Sequence, residues 1–354
     1  MQPLHSVYWV VRKFHSGTGT EFRAPKCPTD TFQNSCRRRG ATVWNFVIPH
    51  FERFLKELEL SADDCKDADG KADRVARSLF AKYYPNRLIF DPSCYMKVGS
   101  YGKATACAAD TDLDMLFILP NEVYWRIDGL LGNKQSQLLQ EVKNGLFGTF
   151  PRTPLRADGP IIVAPFSSYH VEVVPAFRCN DGTFLTAHTA DGGSWRNSNP
   201  AEEYRLLRAS DLPTQGKATH LTKMLKAWKY ECNVDIKSIS LEVLATAFVD
   251  QWAHRQQSLF YYDWMVRDFF AFMLQYVNGW TRIPGTSEQI QLGDGWQTKC
   301  QSAYDRALKA ESYERGDYQF AAQAEWQKIF GKHFIGLAVQ PIASLGLFAA
   351  AMRA

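Results

Sequence analysis

The hydrophobic positions of the chain follow two different periods. Apolar residues recur at steps of three and four from about residue 37 to 60 and from about 72 to 84, which predicts two amphipathic helices, the second ending before Pro85. The middle of the chain instead contains short apolar runs with alternating polar positions, which predict strands. Helical spacing returns after about residue 219. This order of patterns predicts an α+β fold with a strand-rich first part and a helical second part.

The same patterns give bounds for the other elements. A polar turn region is predicted at residues 61–70 and a turn-rich link at 191–200. Strands are predicted within 151–165, where Asp158-Gly159-Pro160 marks a turn, and over 169–177. Further helices are predicted over 125–147, 219–232, 240–254, 262–277, 296–314 and 318–330, with a polar loop at 283–294.

Composition shifts divide the chain into four segments. Residues 1–35 are rich in turn-forming residues and are expected to be a poorly ordered or loosely docked lead-in. A strand-containing core is expected over 36–200 and a helical C-terminal domain over 201–340, followed by a tail at 341–354. The change of pattern near residue 200 therefore predicts a domain boundary.

Bulk composition narrows the class of protein. The chain has 354 residues, of which 45% are hydrophobic and 22% charged, as is ordinary for a globular protein. A formal net charge of +4 is too small to indicate nucleic-acid wrapping on its own. Eight cysteines are scattered without a C-x-x-C pair or histidines at zinc spacing, which predicts reduced thiols, no zinc and a cytoplasmic protein. No apolar run is long enough to span a bilayer and the first residues lack an export pattern, so no membrane association is expected.

One stretch of the middle part combines two acids with an apolar strand. Residues 98–106 read VGSYGKATA, and residues 111–119 read TDLDMLFIL. Alternation along a strand puts Asp112 and Asp114 on one face, about 7 Å apart. Because two carboxylates on an apolar strand repel each other and resist burial, a cation is expected between them, and Mg²⁺ suits oxygen ligands of this kind.

The turn before this strand carries groups that bind phosphate. Gly99 and Ser100 offer backbone N–H groups and a hydroxyl, and Lys103 and Thr105 add a cation and a second hydroxyl, either for phosphate contact or for support of the loop. The alternative interpretation is an ordinary turn before a strand whose two aspartates face solvent. The strand is too apolar to favour that alternative.

A Gly-Ser turn, a spacer and an Asp-Leu-Asp strand in this order resemble the signature of the DNA polymerase β-like nucleotidyltransferases. More narrowly, the stretch resembles the bacterial CD-NTases, relatives of cyclic GMP-AMP synthase and oligoadenylate synthetase, and the resemblance covers roughly residues 40 to 335. It implies an α+β fold: a polymerase β-like core with a mixed twisted sheet, a helical C-terminal domain and an active site between them. It also implies nucleotidyl transfer with two Mg²⁺ ions, for which Mn²⁺ can substitute.

The resemblance extends to a third carboxylate. Glu172 is followed by Val-Val-Pro-Ala and matches the position where many relatives carry an aspartate. By that match Asp112, Asp114 and Glu172 are the catalytic residues and the metal ligands, with His170 on the same strand face as Glu172. A lone glutamate on a strand would otherwise be a solvent-facing residue.

The resemblance also assigns residues in the helical part. Lys226 lies in a segment like the family's Lys-bearing helix, and Ser238 in one like its Lys-Ser-x-x-Leu-Glu segment. By that match both side chains would contact the donor triphosphate, together with Gly99 and Ser100. Relatives often place an aromatic residue after the serine, whereas this chain has Ile239, so base stacking is expected to come from elsewhere.

By resemblance, the activity is condensation of NTPs, with a purine in at least one position, into a cyclic di- or trinucleotide for antiphage signalling of the CBASS type. The zinc-binding insertion of animal cyclic GMP-AMP synthase has no counterpart, so no double-stranded DNA activator is expected, and a regulatory protein partner stays unidentified. Two alternatives use the same fold. A template-independent polymerase acting on RNA ends predicts an extended basic groove, and a non-enzymatic nucleotide-binding scaffold predicts a missing carboxylate.

Overall fold

The structure, a computed structural model, describes residues 11–12, 47–108, 110 and 112–335. The tail predicted at 341–354 lies outside these residues, as does all of the predicted lead-in except Val11 and Arg12. Within the described residues, no helix is both long and apolar enough to span a membrane.

Helices and strands alternate in the first half, and helices dominate the second. The helices are α1 Val47–Leu58, α2 Ala62–Tyr83, α3 Gly99–Gly102, α4 Asn121–Asp128, α5 Lys134–Thr149, α6 Pro200–Thr214, α7 Lys217–Glu231, α8 Ser238–Gln251, α9 Tyr262–Met273, α10 Gln297–Arg315 and α11 Gln319–Phe330. The strands are β1 Val11–Arg12, β2 Tyr95–Lys97, β3 Asp112–Ile118, β4 Arg156–Asp158, β5 Ile161–Pro165, β6 His170–Arg178, β7 Phe184–His188, β8 Ser194–Ser198, β9 Trp280–Arg282 and β10 Gln289–Gln291. Short 3₁₀ turns cover Pro92–Cys94, Leu259–Tyr261, Leu274–Tyr276 and Gly331–His333.

The larger sheet is mixed, which confirms the predicted sheet type. Its strands run in the order β2-β3-β6-β5-β4, and β7 pairs with both β6 and β8. Strands β3 and β6 are parallel, whereas the other pairs of this sheet are antiparallel. A smaller antiparallel sheet joins β9 to β1 on one side and to β10 on the other.

The two faces of the larger sheet differ in what covers them. One face is packed against helices α2, α4 and α5 through side chains that are almost fully buried: Leu113, Met115, Phe117, Val171, Val173, Val75, Leu79, Leu138 and Val142. Each such side chain contributes about 1.5–3 kcal/mol on burial. The opposite face carries a small apolar cluster around Leu116, Ile118, Ala176 and Phe184. Toward the start of β3 that second face becomes acidic.

A second, separate core is built from the C-terminal helices. Its largest fully buried side chains include Trp228, Trp296 and Trp326. Helix α1 belongs to this core although it precedes the sheet in the chain, because the ring of Phe51 packs 5.4 Å from that of Trp326. Ring centroids of Phe54 and Phe330 lie 4.6 Å apart. The domain bounds at 36–200 and 201–340 stay a prediction. Residues 47–58 fall in the first of these ranges but pack in the helical core, so position along the chain does not by itself decide which core a helix joins.

The predicted turn region at 61–70 is wrong. Helix α2 begins at Ala62 because the Ser61 hydroxyl accepts a hydrogen bond from the Asp64 N–H at 3.1 Å. The Asp64 carboxylate accepts in return from the Ser61 N–H at 3.3 Å. This reciprocal capping satisfies the first donors of the helix, and the polar residues that follow form its exposed side.

Three other predictions of local structure need correction. The helix predicted over 125–147 is two helices, α4 and α5, separated at residues 129–133, where Gly132 adopts a φ of +77°. The link predicted at 191–200 contains β8, which pairs with β7. The loop predicted at 283–294 contains β10, which pairs with β9. Both strands are too short and polar for an alternating apolar pattern to reveal them.

Candidate active site

The register of two parallel strands brings four polar side chains onto one sheet face. Asp112 lies opposite His170, and Asp114 lies opposite Glu172, across the β3–β6 pair. Because side chains alternate along each strand, all four project from the face that α2 and α5 leave uncovered. The Asp112 Oδ1 atom lies 3.2 Å from the His170 Nδ1 atom. The structure therefore brings together all three carboxylates that the sequence selected.

Two of these carboxylates, Asp114 and Glu172, have pKa values that are raised by burial and by neighbouring charge. Burial, together with the charge of Asp112, raises the pKa of Asp114. Burial, followed by the charges of Asp114 and Asp112, raises the pKa of Glu172 to about 7. The Asp114 and Glu172 side chains are hydrogen-bonded to each other, which requires one of them to carry a proton. A cation would replace that proton and relieve the repulsion.

The turn that precedes β3 lies directly against Asp114. Gly99 has a φ of +58°, and a Cβ atom at this position would overlap the Asp114 carboxylate. The Val98 N–H donates to the Asp114 carbonyl at 2.9 Å, which fixes the turn to the strand. Ser100 follows within the short helix α3, and its carbonyl accepts from the N–H of Thr105 at 2.9 Å. A glycine is required here because only a residue without a Cβ atom permits this approach.

Lys103 and Thr105 contact the helical part of the molecule. The buried Lys103 ammonium lies 2.7 Å from a carboxylate oxygen of Glu203 on α6 and 2.7 Å from one of Glu242 on α8. The Thr105 hydroxyl donates to Glu242 at 3.2 Å. Of the two roles that the sequence left open for these residues, the contacts favour support of the loop.

Lys226 and Ser238 have different partners in the structure. The Lys226 ammonium lies 2.7 Å from the Asp110 carboxylate. The Ser238 hydroxyl, at the first residue of α8, accepts from the Lys229 ammonium at 3.0 Å. Sequence analysis did not select Lys229. The sequence does contain a signal for Lys229. It follows Lys226 by three residues on one helix, so the two lysines lie on neighbouring positions of the helix surface.

The donor set suits a hard divalent cation. Asp114 and Glu172, whose pKa values are raised, and Asp112, which is almost half exposed, lie on one face beside a glycine turn. Across the described ranges, no group of three or more His, Cys, Asp or Glu side chains is arranged to hold a metal ion by itself. Mg²⁺ is usually held by one or two carboxylates together with substrate phosphates, so a preformed protein cage is not needed for it to bind.

A mixed sheet that presents acidic residues beside a Gly-Ser turn, followed by a helical domain, matches the fold of the polymerase β-like nucleotidyltransferases. Residues 47–210 match the family model of the Second Messenger Oligonucleotide or Dinucleotide Synthetase domain. The match covers 164 of the 354 residues, and these include Gly99, Asp112, Asp114 and Glu172. The sequence matches none of the curated protein sequences.

Solved structures of CD-NTases share the fold at low sequence identity. Vibrio cholerae DncV cyclic AMP-GMP synthase, in complex with the linear intermediate 5′-pppA(3′,5′)pG, is 13% identical with a TM-score of 0.66, covering 84% of this chain and 98% of that one. E. coli MS115-1 CdnC, solved with ATP and in a complex with HORMA, is 17% identical with TM-scores of 0.56 and 0.57, covering 81% and 98%. Bradyrhizobium diazoefficiens CdnG with GTP is 12% identical with a TM-score of 0.57, covering 81% and 96%.

Proposed function

We propose that this protein condenses NTPs into a cyclic di- or trinucleotide second messenger. The observation that carries the proposal is the shared face of Asp112, Asp114 and Glu172, directly against the Gly99 turn. A ribose hydroxyl of one nucleotide would attack the α-phosphorus of another, and the bond to pyrophosphate would break. Repetition of this step from the linear product would close the ring.

The residues contribute mainly by positioning and charge. Gly99 and Ser100 would bind the donor phosphates through the turn backbone and a hydroxyl. Asp112, Asp114 and Glu172 would hold two Mg²⁺ ions, for which Mn²⁺ can substitute. When bound, these ions supply positive charge that offsets the negative charge developing on the transferred phosphoryl group. With a pKa of about 7, Glu172 would also release a proton when a cation binds near neutral pH.

The wider setting is proposed from the family. DncV is a cyclic AMP-GMP synthase, and CdnC was solved with ATP. These purine nucleotides support a purine in at least one position of the product proposed here. The CdnC complex with HORMA supports a protein partner for this chain. We also propose a cytoplasmic role in antiphage signalling, as the resemblance to the CD-NTases implies.

The test is an incubation of the purified protein with all four labelled NTPs, with Mg²⁺ and separately with Mn²⁺, followed by phosphatase treatment. A small phosphatase-resistant product that is absent with the Asp112→Asn protein supports the proposal, and omission of single NTPs identifies the bases. Extension of an added RNA without such a product would favour a template-independent polymerase. NTP binding without either reaction, in the presence of candidate partners, would favour a scaffold.

A further inference from the structure

The loop that follows the Gly99 turn is anchored to the helical domain by a buried cluster of polar side chains. The Lys103 ammonium lies 2.7 Å from an oxygen of Glu203, in the first turn of α6, and 2.7 Å from one of Glu242, on α8. The fully buried Thr105 hydroxyl donates to the other carboxylate oxygen of Glu242 at 3.2 Å. One loop therefore contacts two helices of the helical domain.

The same loop is hydrogen-bonded to the Gly99 turn. The Thr105 N–H donates to the Ser100 carbonyl at 2.9 Å, and the Ala106 N–H donates to the same oxygen at 3.0 Å. Thr105 therefore contacts the turn through its backbone and helix α8 through its hydroxyl. On its other side the turn lies directly against the Asp114 carboxylate. A continuous series of contacts thus joins the acidic face, the turn and the helical domain.

The residue between the two anchored side chains has an unfavourable backbone conformation. Ala104 has a φ of +60°, in the left-handed region that a residue with a Cβ atom rarely adopts. Such a conformation persists where the surrounding structure fixes it, and the contacts of Lys103 and Thr105 lie on either side. The path of the loop therefore depends on its contacts with the helical domain more than on local preference.

The charges around Lys103 oppose a direct contact between its ammonium and a phosphate. Burial disfavours the charge of Lys103, but the carboxylates of Glu242 and Glu203 outweigh that cost and raise its pKa, so the ammonium stays charged. The cluster contains two carboxylates for this one cation, so a phosphate brought to the ammonium would be repelled by both. Taking Lys103 away from them would leave two buried charges unpaired. Lys103 can therefore affect the reaction only through the loop that it anchors.

We propose that Lys103 and Thr105 are positioning residues for nucleotidyl transfer, which set where the Gly99 turn lies relative to helices α6 and α8. The proposal rests on the proposed function, in which this turn binds the donor phosphates. Because the turn also lies against Asp114, a shift of the turn changes the alignment of the donor phosphates with the acidic face. A displacement of about 1 Å costs about 10²-fold in rate.

The first test replaces the Thr105 hydroxyl with a methyl group. Thr105→Val should lower kcat by about tenfold, because the bond to Glu242 is lost. The KM for each NTP should change by less than about twofold, because the turn still presents its backbone to the phosphates. Thr105→Ser, which keeps the hydroxyl, should recover most of the kcat. The stoichiometry of NTP binding in calorimetry counts the folded molecules, and a normal kcat per folded molecule in Thr105→Val would overturn the proposal.

The second test removes the cation of the cluster. Lys103→Met should lower kcat by about 10²-fold, but it leaves two buried carboxylates without a cation, which destabilises the folded protein. A triple variant therefore adds Glu203→Gln and Glu242→Gln, and it should fold while kcat stays low. Lys223→Met is the matched control, because this side chain is also 6% exposed and its ammonium lies 2.8 Å from Glu59. It should keep a normal kcat, and a folded triple variant with a wild-type kcat would overturn the proposal.

Amide hydrogen exchange, measured by mass spectrometry, tests the positioning without turnover. The N–H groups of Thr105 and Ala106 are bonded to the turn, so the peptide that contains residues 98–108 should exchange slowly in the wild type. In Thr105→Val and in the triple variant this exchange should be faster by about tenfold, whereas Lys223→Met should leave it unchanged. Unchanged exchange in both loop variants would overturn the proposal. If the wild type makes no product, the proposed function fails, while the exchange rates still decide whether these side chains hold the turn.

Discussion

Carboxylates with raised proton affinity gather at two places in this chain, and only one of them has the features of an active site. On the sheet face, Asp114 and Glu172 lie beside the open Gly99 turn. In the helical core, Asp263 on α9 lies near Glu311 and Glu314 on α10, and burial is the first cause that raises the pKa of each of these three groups.

The two clusters differ in what faces the carboxylates. In the helical core the Arg267 guanidinium lies 2.7 Å from Glu311, and the Trp326 indole N–H donates to Glu314 at 3.0 Å. The protein itself supplies those two partners, and Asp263 and Glu311 are no more than 1% exposed, so neither carboxylate is open to solvent. On the sheet face, Asp112 and His170 are almost half exposed, Asp114 and Glu172 are partly exposed, and the Gly99 turn lies against Asp114. A raised pKa therefore does not mark a functional site unless the group is also accessible to a ligand.

The largest expected difference between the clusters is in activity. Asp112→Asn or Asp114→Asn should lower turnover by at least about 10³-fold, because the charge that holds the metal ions and phosphates is lost. The melting temperature should stay within a few degrees, and for Asp114→Asn it should not fall, because a repelled and buried charge is removed. Asp263→Asn, the matched change in the helical cluster, should leave turnover per folded molecule unchanged. Equal losses of activity from both clusters would contradict the distinction.

The close approach of the turn to Asp114 gives the next largest effect. Gly99→Ala introduces a Cβ atom into the Asp114 carboxylate and should lower kcat by about 10²-fold, as expected for a displacement of reacting groups by an ångström. Gly159→Ala is the control: its φ of +56° gives the same backbone strain, about 1–2 kcal/mol, but no atom lies within 4 Å of the new Cβ. In urea unfolding Gly99→Ala should lose at least as much stability as Gly159→Ala, and only Gly99→Ala should lose activity. A fully active Gly99→Ala protein would mean that the turn does not have to contact the acidic face.

Addition of a divalent cation should distinguish the two carboxylate clusters in the absence of NTPs and turnover. Mg²⁺ at ten times its dissociation constant should raise the melting temperature by about 2 °C, because it binds only the folded acidic face. Since the pKa of Glu172 is about 7, binding near neutral pH should also release protons, which a dye in weakly buffered solution reports. Asp114→Asn should abolish both signals, and Asp263→Asn should keep them. Ionic strength is matched with NaCl, and a shift that persists in Asp114→Asn would place the binding elsewhere.

More of the candidate site than of the packing around it could be predicted from the sequence. The local pattern of residues 98–119 predicted the turn, the strand and the shared face of Asp112 and Asp114, because these depend on neighbours only a few residues apart. It did not predict that helix α1 packs in the helical core or that Lys226 pairs with Asp110, a residue 116 positions away. Such pairings depend on the tertiary arrangement, which a local pattern does not contain. For the same reason, nothing in the periodicity of α7 separates Lys226 from Lys229.

The smallest expected effect is on the pH dependence of stability, and Glu314 of the helical cluster tests it. The folded-state pKa of Glu314 is about 7, above the value near 4 of an unfolded chain, so the folded protein binds this proton more tightly. Its stabilising contribution is complete below about pH 4 and is lost as pH rises through about 7. Glu314→Gln, which keeps an oxygen for the Trp326 N–H, should therefore match the wild type at about pH 4. At about pH 8 it should be more stable by roughly 1–2 kcal/mol, less than the full pKa difference implies because the neighbouring acids titrate together. Urea unfolding at both pH values measures the difference, and a difference that does not change with pH would show that Glu314 ionises as freely in the core as in water.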